Sequence, residues 1–106
     1  MHPSNRTPAS AAIVAVAQAM IAGQLDLIDG VRQITEMRHG LDDPNAEVLI
    51  PIRAVDSETD HFPIGPVRAH YAPRQLESID AEMQRYLADA KNDILAACAD
   101  IVRVYS

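Results

Sequence analysis

PRQLESIDAEMQRYLADAKNDILAACADIVRV, residues 73–104, is the stretch that decides the fold. From Pro73 onward Leu76, Ile79, Met83, Tyr86 or Leu87, Ala90, Ile94, Ala97 or Cys98, Ile101 and Tyr105 recur at spacings of three and four. That is one face of an α-helix, with charged residues on the others. The spacing averages close to 3.6, so the helix is expected to be nearly straight rather than supercoiled. Unbroken, it would reach on the order of 48 Å at 1.5 Å per residue. A compact chain of this size has a radius of gyration of only about 13 Å, so something must cover the overhang.

Upstream, two shorter helices are signalled. Thr7 is a cap residue with Pro8 at the first helical position, where a missing N–H costs nothing. Ile13, Val16 or Ala17, and Met20 or Ile21 follow at helical spacing, and Gly23 ends the run. Leu27, Ile28, Val31, Ile34 and Met37 then share a second face, closed by Gly40 after Arg38 and His39. So short a link makes the pair an antiparallel hairpin. Gly30, inside the second helix, costs about 1 kcal/mol relative to Ala, and close approach to the Ala-rich first helix accounts for it.

The reading is therefore a single all-α domain over residues 1–106. A helix hairpin (7–39) packs on the long C-terminal helix (73–104), and an irregular, proline-containing segment (41–72) joins them. Within that segment Val48, Ile50 and Ile52 alternate with Leu49, Pro51 and Arg53, which reads as extended chain, with Pro51 confining any strand to an edge. The hairpin, roughly 23 Å long by the helical rise, covers only about half of the long helix. A homodimer is thus expected to bury the rest, with Met83, Leu87, Ile94 and Ile101 as the self-association residues.

Composition narrows the function. The 106 residues carry a net charge of −6. Residues 40–60 hold six acids against Arg53 alone, whereas residues 1–39 balance three against three. Such a chain repels phosphate backbones and suits a basic protein partner, so no nucleic acid is expected. Cys98 is the only cysteine, which excludes an intramolecular disulfide and every CxxC site and is compatible with a reducing cytoplasm. The apolar run after Arg6 weakly resembles a leader peptide but serves equally as a core helix, and at roughly 14 residues it is too short to span a bilayer, which takes about 20. No membrane partner is expected.

The stretch AVDSETDHFPIGPVRAHY, residues 54–71, gathers acids, histidines and prolines. It begins like a calcium loop at Asp56-Ser57-Glu58-Thr59-Asp60, but His61 and Val67 stand where that loop requires Gly and Glu. His61, His70 and Asp60 have the residue types of a two-histidine, one-carboxylate metal or hydrolase site, the alternative reading, although nothing regular in the spacing brings them together. No nucleophile elbow or phosphate-binding glycine loop occurs, so no catalytic residue and no cofactor is assigned. Phe62-Pro63 and Gly65-Pro66 stiffen the segment, and Ser57 with Asp60 fits the start of one helical turn. A stiff acidic loop with aromatic anchors has the make-up of an interface. The expected function is a non-enzymatic binding module of regulatory or toxin-neutralising type, using Asp56, Glu58, Asp60, His61, Phe62, His70 and Tyr71. A structural homo-oligomer is the further alternative.

Overall fold

A computed structural model describes residues 7–106. Arg6, which precedes the apolar run, lies outside the described residues. Four α-helices follow in order: α1 (Pro8–Ile21), α2 (Leu27–Met37), α3 (Ile50–Thr59) and α4 (Pro73–Tyr105). Short 3-10 turns at Arg38–Gly40, Glu47–Leu49 and Gly65–His70 fill the connections, and no strand occurs among the described residues. The all-α class, the hairpin and the long C-terminal helix are as the sequence implies.

Each helix end has a local cause. Thr7 Oγ1 accepts the Ser10 N–H at 3.1 Å, with Pro8 in the first turn. At the other end of α1, Gly23 turns at φ +74°, its N–H reaches Met20 O, and the Gln24 N–H reaches Ala19 O. This pair of bonds satisfies two carbonyls that the helix leaves open, and only a left-handed residue allows it. Asp26 caps α2 by accepting the Asp29 N–H. Pro73 opens α4, and Gln75 Oε1 reaches back to accept the Ala72 N–H at 2.9 Å.

The core sits where α1, α2 and the C-terminal half of α4 meet. Ile13, Ala17, Met20, Val31, Ile34, Ile94, Cys98 and Ile101 belong to one buried cluster, joined by Leu49, Ile52 and Val55 from the middle of the chain. Burying aliphatic side chains of this size stabilises by roughly 1.5–3 kcal/mol each. The fit is closest at Met20, whose Sδ lies 3.8 Å from Cys98 Sγ. A Cβ at Gly30 would overlap the Sδ and Cγ of Met20, so the glycine marks the close helix approach that its helical cost implied.

Two expectations change. Residues 50–59 are helical, not extended. Pro51 stands in the first turn, where it removes no needed hydrogen bond, and Ile52, Val55 and Thr59 recur at three and four to form the buried face. The alternation through Ile50 had no such support, since Ile50 is 53% exposed. The S-x-x-D pattern at Ser57 accordingly lies at the end of a helix rather than its start. Second, Ile94 and Ile101 are 1% and 0% exposed within a single chain, so neither is free for self-association. The hairpin holds the C-terminal half of α4, and it is the N-terminal half that overhangs. Every fully buried residue of α4 lies between Ile94 and Tyr105. The long axis of the molecule, 51 Å against 25 and 23 Å, is set by that helix.

Replacing Gly30 with Ala gains about 1 kcal/mol of helix propensity but meets an overpacking cost of typically about 1–3 kcal/mol. The expected outcome is a net loss of about 1 kcal/mol in urea denaturation, and a gain when Met20→Val has made room. Burial holds the Cys98 thiol up at about 11. Thiol reagents at pH 8 should therefore leave the folded protein unlabelled and react once urea unfolds it; rapid labelling without denaturant would contradict this placement.

Candidate functional site

α3 is held from both sides. From α2, the Arg32 guanidinium donates Nη2 hydrogen bonds to Thr59 O, at 2.6 Å, and to Phe62 O. A cation there meets the open carbonyls at the negative end of α3 and also fixes the turn beyond it. Thr59 Oγ1, fully buried, donates back to Val55 O at 2.7 Å. From α4, Tyr86 donates to Glu58 Oε1 at 3.3 Å, and Glu82 faces His61 Nε2 at 3.4 Å. Further along, Arg68 grips Asp80 bidentately at 2.7 and 2.9 Å and also donates to Pro63 O. That contact lowers the Asp80 carboxyl and raises the Arg68 guanidinium, in each case chiefly through the hydrogen bond between them.

Folding α3 as a helix redistributes the expected recognition residues. Helical geometry turns Asp56 and Glu58 to different faces. Asp56 lines a cleft of about 430 Å³ between α2 and α3 with Thr35, Arg38, Arg53 and Ser57. Thr35 Oγ1 and Arg38 Nε are buried without a hydrogen-bond partner, but they are closed to water and cannot be reached from the cleft. Glu58, by contrast, faces α4. Asp60, His61 and His70 are exposed, and Tyr71 is half-buried. Phe62 is the correction: at 2% exposure it is an internal prop, its ring 4.2 Å from that of His61, and not a surface anchor. The chain buries it because its carbonyl is drawn in by Arg32 and Pro63 behind it is buried too. Among the described residues no three His, Cys, Asp or Glu side chains are gathered as for a metal ion, and His61, His70 and Asp60 are not brought together in such a group.

What the structure does assemble is an acidic groove between α3 and α4. Two adjoining hollows, about 470 and 440 Å³, share Glu58, Tyr86 and Asp89. Glu82 lies at one end and Asp93 at the other, a span of roughly 17 Å along α4 by the helical rise. Four carboxylates thus line the groove, with Arg85 and His61 as the basic groups. Val55, Phe62 and Ala90 form its apolar floor. Burial and the neighbouring Glu58 both raise the Tyr86 hydroxyl, which keeps it a hydrogen-bond donor to that carboxylate. Glu82, Asp89 and Asp93 are residues the sequence reading did not single out. Their signal was present, since 82, 86, 89 and 93 step by four, three and four along one flank of the apolar stripe.

Against known proteins, the chain matches no family model, no curated protein and no solved structure. Among the described residues, no helix is long and apolar enough to cross a membrane.

Arg32→Met keeps the aliphatic stem and removes both donors to the end of α3. Phe62 O loses its partner and Thr59 O keeps only the Phe62 N–H, for which a destabilisation of about 1–3 kcal/mol is expected. Amide hydrogen exchange should quicken across residues 60–72 more than in α1; uniform change along the chain would show that Arg32 has no local role there.

Proposed function

We propose that the protein is a non-enzymatic binding module of regulatory or toxin-neutralising type, and that the groove between α3 and α4 receives a basic segment of a partner protein. The observation that carries this reading is the facing of Glu58, on α3, with Glu82, Asp89 and Asp93, on α4, across one groove. Arg or Lys side chains laid along it would meet carboxylates on both walls, while their aliphatic stems rest on Tyr86 and Ala90. The surrounding charge of −6 would draw such a partner in and speed encounter. His61 lines the groove and its chain neighbour Asp60 is exposed, while His70 and Tyr71 are not among the lining residues, so the 56–71 segment contributes part of the surface rather than the whole of it.

A reducing cytoplasm suits this reading, as the single thiol is buried. Self-association remains part of it. With Ile94 and Ile101 inside the core, it rests on the half-buried flank of α4 around Met83 and Leu87.

A fluorescent nona-arginine peptide serves as a probe for the groove. Replacing Glu82 with Gln and Asp89 with Asn together should weaken its binding about fivefold at low salt and flatten the salt dependence. This follows from two exposed charge pairs of about 0.2–1 kcal/mol each. Asp42→Asn with Asp43→Asn removes the same net charge outside the groove and should have a smaller effect. Equal losses in the two pairs of variants would reduce the attraction to net charge and remove the groove from the argument.

A further inference from the structure

An apolar hollow of about 620 Å³ lies between the α1–α2 turn and the flank of α4 away from the acidic groove. Ile21, Leu25, Leu27, Leu87 and Leu95 line it, and Ile21 stands 46% exposed. Its rim carries two charges of opposite sign, Asp26 and Lys91. Lys91 is the only lysine of the chain, is exposed, and makes no ion pair among the described residues. Asp26 spends one carboxylate oxygen on the Asp29 N–H, and it makes no ion pair among the described residues.

Charge decides what fits here. A chain of net charge −6 repels its own copy over most approaches, and most strongly at the acidic groove. At the hollow that local repulsion is weak, because its rim sums to zero. One acid and one base on the same rim also allow it to complement its own copy across a two-fold axis. Lys91 of each subunit can then face Asp26 of the partner subunit, while the leucines and Ile21 meet their own counterparts. A basic partner would be repelled by Lys91, and an acidic one by Asp26. Only a surface bearing one of each satisfies both, and the same surface on a second copy does so by construction.

We propose that this hollow is the isologous interface of a homodimer, held by apolar contact through Ile21, Leu87 and Leu95 and set in register by reciprocal Lys91–Asp26 pairs. It specifies the self-association proposed above and does not rest on the groove being a recognition site. Leu87 belongs to the interface; Met83, one turn earlier on α4, lies at its edge. The two surfaces then occupy opposite flanks of α4, so a dimer would keep both grooves open.

Carbodiimide cross-linking of an equimolar mixture of light and ¹⁵N-labelled full-length chains tests this, since one lysine leaves few amine sites. The expected product is a mixed-isotope peptide joining Lys91 to Asp26, alongside a concentration-dependent dimer in sedimentation velocity. Asp26→Asn, which keeps the α2 cap, should remove that cross-link. Ile21→Asp, at an exposed position that leaves the core intact, should weaken the dimer roughly tenfold or more with an unchanged circular dichroism spectrum. The same variant should bind the nona-arginine probe normally, and the Glu82 and Asp89 variants should dimerise normally, which separates this interface from the groove. A monomer at all concentrations, a dimer cross-linked at other positions, or a dimer indifferent to Ile21→Asp would each overturn the proposal.

Discussion

The packing of Met20 against Gly30 and Cys98 is the constraint on which the rest of the structure hangs. It is the point where α1, α2 and α4 come within side-chain reach of one another. A methionine suits it, because an unbranched and polarisable side chain can fill the gap left between a bare backbone and a thiol. The angle at which α2 leaves this crossing then places Arg32 opposite the end of α3. Arg32 in turn sets where the middle of the chain stops being helical and bends back over α4. A packing decision among three residues thus reaches the acidic groove through one guanidinium.

Periodicity carried most of the architecture. The stripe from Leu76 to Tyr105 and the caps at Thr7, Pro8 and Gly23 are short-range signals with one physical meaning each, and the elements form where they point. Residues 48–53 were harder, because alternation and helical spacing coincide over so short an apolar run, and only Val55 and Thr59 break the tie. Pro51 fits an edge strand as well as the first turn of a helix, so it does not decide between them. Burial of Phe62 was signalled only by its residue type, and where its backbone turns inward was not legible locally. That turn is held by a hydrogen bond between residues 30 positions apart, which no window along the chain contains.

The candidate site was half legible for a related reason. The acids of residues 56–60 stand out as a cluster in the sequence, yet a helix spreads consecutive side chains around its axis. Asp56 therefore went to one side of α3 and Glu58 to the other. The matching acids on α4 are spaced too widely to look like a cluster, and they share a face only because the helix is continuous through Asp89. Proximity in sequence and proximity on a surface diverge in helices, and here the divergence moves the candidate site from a loop to a groove.

The uneven burial of α4 has a dynamic consequence. Its C-terminal half is locked into the core, whereas its N-terminal half is held from one side by α3 and the 60–72 segment, through polar contacts at Glu58, His61 and Arg68. Such a helix does not open as one unit. Residues 73–90 and the segment above them form a separable tier that can loosen while the crossing at Met20 stays closed. One wall of the groove, at Glu82, Tyr86 and Asp89, belongs to that tier and the other, at Val55 and Glu58, to α3, so a ligand bridging the two would tie the tier down and be read as local rigidity far more than as a change of shape.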